Sequence, residues 1–366
     1  MTRKFNTAAM AGIPLFAAYL ITRLFSRYEY LSLTGDQCSY LSLARNFPFH
    51  CLYNNELYLF HPPLYDFTIG VISFLMPLLQ AGLLVSILFG ILNYFLLRKM
   101  ARIFDVGRAG TVAVLLYLTL NLMSVLMETQ VYRMSILVFL MGMGICSFQE
   151  YILTGERKFL LRTIIFNSLS LCCSDQALLL IGCQLVQMFM FVDLRRKWKL
   201  MLGILAVSGM AYAVWPLIRL CIYLSHPDYP AGIDGTVESF SNLDIMGVLQ
   251  PNNLPLTKYY RSFFTSTSFS ISNFNLENFL PLPMALILVP KKVAFVLIGG
   301  LASVSAIYGI MRKDKTVLLL FIMSAILALP CLTGMFAWYG MPFIIPFSLL
   351  LGKAVGFLTD KIKAEG

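Results

Sequence analysis

The residues best placed to do chemistry lie between Thr34 and Asp66. Gly35-Asp36 opens the run Gln37-Cys38-Ser39-Tyr40-Leu41-Ser42-Leu43-Ala44-Arg45, and about fifteen residues later stands His61-Pro62-Pro63-Leu64-Tyr65. Asp36 has two readings. It suits the start of a helix, where its carboxylate caps exposed N–H groups. An acid at a membrane surface also loses part of its hydration, which lifts its pKa toward the working range of a general base. Behind it, Tyr40, Leu43 and Ala44 share one helical face. The paired prolines fix an extended entry into the next segment and hold the His61 ring and the Tyr65 hydroxyl near it.

What must position these groups is a membrane. Of 366 residues, 58% are hydrophobic and 13% charged, and the mean hydropathy is +0.77. So few charges cannot cover that much apolar surface in water, and the class is an all-α polytopic membrane protein. Residues 1–366 read as one membrane domain. An apolar run over 8–25 follows Thr2-Arg3-Lys4 and reads as a retained anchor with a cytoplasmic N-terminus. Residues 26–80 form a first outer loop, in which 64–79, broken by Pro77, lies along or dips into the outer interface. Spans then alternate over 81–97, 108–124, 131–149, 159–173, 176–193 and 200–223. A long outer loop over 224–281 has the make-up of a lid, and 293–311, 316–333 and 341–358 bring the total to about ten spans with both termini inside.

The net charge of +10 agrees with this arrangement. Nineteen of the 28 Lys and Arg fall on the inner side, against seven acids. The basic balance is therefore a topology signal, and a nucleic-acid partner is excluded. Of the eight cysteines, Cys38 and Cys51 share the first outer loop and could pair if that face is oxidising. His50, His61 and His226 match no metal-ligand spacing, so the sequence calls for no cofactor and gives no support to a divalent metal.

A first outer loop with Gly-Asp, then Tyr-x-x-x-Ala, then His-Pro-Pro-Leu-Tyr resembles the GT-C superfamily of integral-membrane glycosyltransferases. The nearest in pattern are the protein O-mannosyltransferases and the lipid A aminoarabinose transferases. His61 stands where the aminoarabinose branch commonly carries Lys. Further likenesses are Glu128 at the outer end of the third span, Ser174-Asp175-Gln176 between two middle spans, and Trp338-Tyr339-Gly340-Met341-Pro342 near the end, with Trp338 in the place of a usual Arg.

The resemblance implies a GT-C-like bundle that moves a sugar from a polyprenyl-phosphate donor to a protein, lipid or glycan outside the cytoplasm. Asp36 would be the base, with Tyr40, His61, Tyr65 and Glu128 around the donor. Arg133, and behind it Lys258 and Arg261, would steady the lipid phosphate. Outer segments carry no Asn-x-Ser/Thr sequon, which points to a bacterial inner membrane. Two other readings stay open: a multi-span transporter or lipid flippase, and a non-catalytic subunit of the same fold.

Overall fold

The computed structural model describes residues 7–26, 35–46, 52–53, 56–57, 62–192, 194–225, 307, 309, 311–332 and 341–365. Within them lie twelve α-helices: α1 (Thr7–Ser26), α2 (Gly35–Asn46), α3 (Leu64–Ser73), α4 (Leu78–Ile103), α5 (Arg108–Leu120), α6 (Leu122–Thr129), α7 (Met134–Thr154), α8 (Arg157–Leu171), α9 (Leu178–Phe191), α10 (Leu194–Ser225), α11 (Lys315–Leu332) and α12 (Ile344–Glu365). Between α2 and α3, strands β1 (Leu52–Tyr53) and β2 (Glu56–Leu57) pair antiparallel, with Leu52 opposite Leu57.

Side-chain polarity is distributed as a lipid solvent requires. Large apolar groups such as Phe74, Leu75, Leu88, Phe95, Leu161 and Phe189 face outward. Amides turn inward instead: Asn167 and Gln184 exchange two hydrogen bonds of 2.8 Å between α8 and α9, and Gln187 donates to Gln149 at 3.0 Å between α9 and α7. In hydrocarbon, polar groups can be satisfied only by each other. The protein is an integral membrane protein.

Three helices among the described residues are long and apolar enough to cross a bilayer, namely 78–103, 134–154 and 341–362. The expected count of ten spans is not reached on that criterion. Helix α3 has ten residues, about 15 Å of rise, which is half a hydrocarbon core. It ends in the Phe74–Met76 turn, and Pro77 precedes α4. The expected span 108–124 needs correction: helix stops at Leu120, Asn121 is extended, and α6 starts afresh. The Asn121 side chain accepts from the Ser124 N–H at 2.9 Å and donates to the Tyr117 hydroxyl at 3.2 Å. Asn breaks the run because its amide competes for backbone partners and serves better as a cap.

Helix α7 packs between α4 and α8, while α12 lies against α5 and α11. The α5–α12 crossing depends on glycine: a Cβ at Gly110 would strike the Gly352 carbonyl oxygen. Small residues permit such backbone approach in membranes. Gly110→Val is expected to cost about 1–3 kcal/mol or more by overpacking, measured by equilibrium unfolding in mixed micelles. A neutral result would show that the crossing yields freely.

Most charged groups of the described helices gather at one end of the bundle. There Lys99 pairs with Glu150 at 2.8 Å, and Lys353 stands 3.8 Å from Asp314. The opposite end holds α2, the start of α3, the turn between α6 and α7 and the turn after α8.

Candidate active site

At that opposite end, four segments converge. Helix α2 buries Tyr40, Leu43 and Ala44 and leaves Cys38 exposed as a free thiol, so the face expected from the sequence is the face that packs. Tyr40 meets Tyr65 of α3 edge-on at 5.2 Å between ring centroids, and Tyr132 at 6.4 Å. Gln37 donates to the side chain of Gln130 at 2.9 Å, which ties the start of α2 to the turn between α6 and α7. The Tyr65 hydroxyl lies 3.3 Å from Ser86 of α4. A backbone bond from Leu64 N–H to the Cys172 carbonyl, 3.0 Å, fastens α3 to the turn after α8. The Pro-Pro entry and the Ser174-Asp175-Gln176 turn are thus held side by side.

Two charged side chains are buried in this corner, Asp66 and Arg133. Burial drives the Asp66 carboxyl well above the usual carboxylate range, and the Arg133 guanidinium pulls it partly back. One Asp66 oxygen, Oδ1, is buried with no hydrogen bond. Sequence reading assigns no role to Asp66. The signal that could have found it is an acid inside the apolar run Leu64–Ser73.

The structure therefore brings together Tyr40, Tyr65 and Arg133. Asp36 is the second residue of α2, one position before the anchored Gln37; its side chain lies outside the described residues. So do His61, Lys258 and Arg261, and the partners Cys51, His50 and His226.

Glu128 sits in a separate cluster. Its Oε2 accepts from the Tyr19 hydroxyl at 2.6 Å and from Arg23 Nε at 2.8 Å. The rest of the Arg23 guanidinium donates to the carbonyls of Thr119 and Leu118. These are backbone acceptors that the break at Asn121 leaves without helical partners. Helix α4 can approach because residue 90 is glycine: a Cβ there would lie 2.7 Å from the Tyr19 hydroxyl and 2.8 Å from Glu128. The cluster fastens α1, α4, α5 and α6, and it pairs every charge it buries, although Glu128 Oε1 has no hydrogen bond.

A guanidinium beside tyrosines at one end of a membrane bundle can receive an anionic head group whose tail stays in lipid. What the chain shares with solved proteins is its fold. The chain shares that fold with ArnT, a lipid A aminoarabinose transferase of the GT-C superfamily. It superposes on ArnT from Cupriavidus metallidurans bound to undecaprenyl phosphate with a TM-score of 0.63 and 15% identity, over 93% of this chain and 59% of that one. The apo state of the same protein gives 0.62 and 14% identity, over 98% and 62%. The chain thus spans about 60% of the length of these structures. No family model and no curated protein matches the sequence.

Proposed function

We propose that the protein transfers a sugar from a polyprenyl-phosphate donor to an acceptor at the non-cytoplasmic face, with inversion at the anomeric carbon. The observation that carries this reading is the shared fold with a protein solved with undecaprenyl phosphate. Asp36 takes the proton of an acceptor hydroxyl, whose oxygen attacks the anomeric carbon. The bond from that carbon to the phosphate oxygen breaks, and polyprenyl phosphate leaves with the electron pair. The step balances without a cofactor. Arg133 supplies charge for the phosphate, Tyr40 and Tyr65 form the donor site beside it, and His61, Lys258 and Arg261 join them from the rest of the chain. The inner-membrane location, both termini inside, and the lid over 224–281 belong to the same reading.

One observation favours the transport reading. The break at Asn121 beside a buried Arg23–Glu128 pair is the kind of feature found in transporter cores. The guanidinium there is occupied by Glu128 and two carbonyls, which suits a brace better than a substrate path.

A donor panel tests the proposal. Membranes containing the protein are given labelled sugars on polyprenyl monophosphate, on polyprenyl diphosphate and on nucleoside diphosphate. Transfer from the monophosphate series with an inverted product is expected. Transfer from nucleotide sugars alone would overturn it.

A further inference from the structure

We propose that Asp66 and Gln176 form a polyol-binding pair that receives the hydroxyl groups of the donor's sugar. This rests on the donor reading above and adds to it the residues that distinguish a sugar-bearing lipid from a bare one.

The starting observation is two buried side chains with unpaired polar atoms. Glu128, Glu150 and Asp314 each accept from or stand within ion-pair distance of a cation, whereas Asp66, more deeply buried than Glu150 or Asp314, has its Oδ1 without a hydrogen bond among the described residues. The same contrast holds for amides. Asn93, Asn121, Asn167, Gln184 and Gln187 each donate or accept at least once. The Gln176 side chain has both its oxygen and its nitrogen buried and unsatisfied. Buried polar groups without partners are costly, and a side chain with every polar atom unpaired, as in Gln176, calls for an explanation that a bound ligand supplies.

The two residues belong to adjoining segments. Asp66 stands two positions after Leu64, whose N–H bonds the Cys172 carbonyl, and Gln176 follows in the same turn. Cys173, in the same turn as Gln176, lies within electrostatic reach of both Asp66 and Arg133.

The chemistry of the pair selects its ligand. A carboxyl group and a carboxamide can each accept and donate, which together match vicinal hydroxyls that do both. A phosphate belongs with the guanidinium of Arg133 instead. A metal ion would need more ligands than these two residues offer. A sugar joined to a phosphate satisfies the whole corner: hydroxyls toward Asp66 and Gln176, phosphate toward Arg133.

The test uses the full chain in lipid nanodiscs and two kinds of probe, undecaprenyl phosphate and undecaprenyl phosphates bearing glucose, mannose or aminoarabinose. Wild type is expected to bind at least one sugar-bearing lipid about tenfold more tightly than the bare lipid, as one or two good hydrogen bonds would give. Asp66→Leu and Gln176→Leu should each erase that preference and leave bare-lipid binding unchanged. Thermal unfolding checks the fold, and Gln176→Leu, which keeps volume and removes no ionisable group, decides if Asp66→Leu does not fold.

Variants that keep the preference would overturn the pair and leave the donor reading standing. Variants that keep it yet transfer more slowly would assign the pair to the acceptor and also overturn it. Equal loss of bare and sugar-bearing lipid would make the residues merely structural. A wild type that binds no polyprenyl phosphate of either kind would sink the donor reading itself.

Discussion

Glu128→Ala is expected to lower stability by about 3–5 kcal/mol, the cost of stranding one partner of a buried ion pair. Three consequences combine. Arg23, almost fully buried, loses its counter-charge. The Tyr19 hydroxyl loses its acceptor. The face of Gly90, which carries no side chain, then borders a void where the Glu128 stem stood. Unfolding in mixed micelles reads the loss. The paired replacement Arg23→Met with Glu128→Leu should recover most of it, since an apolar pair needs no charge balance. If Glu128→Ala folded as firmly as wild type and weakened only donor binding, Glu128 would be a substrate contact, as its place at the outer end of the third span suggested.

Asp36→Asn is expected to reduce turnover by about a hundredfold to ten-thousandfold, the range general-base catalysis covers. This substitution separates the two readings of the residue. Asp36 lies in the first turn of α2 rather than at its cap, where losing the carboxylate costs the helix about 0.3–1 kcal/mol, so α2 and its buried Tyr40 face should persist, and donor affinity with them. It has no carboxylate to accept a proton. Turnover at saturating donor, read beside the thermal transition, distinguishes the cases. A variant that turns over like wild type would leave Asp36 as a first-turn helix residue alone.

Much of this arrangement is legible in the sequence for identifiable reasons. The three-and-four spacing of Tyr40, Leu43 and Ala44 is a local pattern, and those side chains are the buried ones. Helix starts and stops near Pro77, Gly107 and Gly155 follow from backbone chemistry, Gly107 and Gly155 having positive φ. The break at Asn121 escapes a hydropathy reading because one amide in an apolar run hardly changes the average. Its effect arises when the side chain finds Ser124 and Tyr117.

The Arg23–Glu128 pair is hidden for another reason: its members are 105 positions apart, and each alone reads as a residue at a span end. Asp66 was in plain view beside Tyr65, but its meaning depends on Arg133 and on the turn at Cys172, which only the fold brings near.

The most direct measurement follows both halves of a labelled donor in proteoliposomes containing the purified chain. A polyprenyl-phosphate sugar is supplied on one leaflet with an extract of acceptors, one label on the sugar and another on the lipid. The account predicts that the sugar label leaves the lipid in step with the appearance of bare polyprenyl phosphate, and that Asp36→Asn suppresses both. Intact donor that moves to the opposite leaflet without releasing its sugar, at equal rates in wild type and variant, would contradict it and make the protein a lipid translocator.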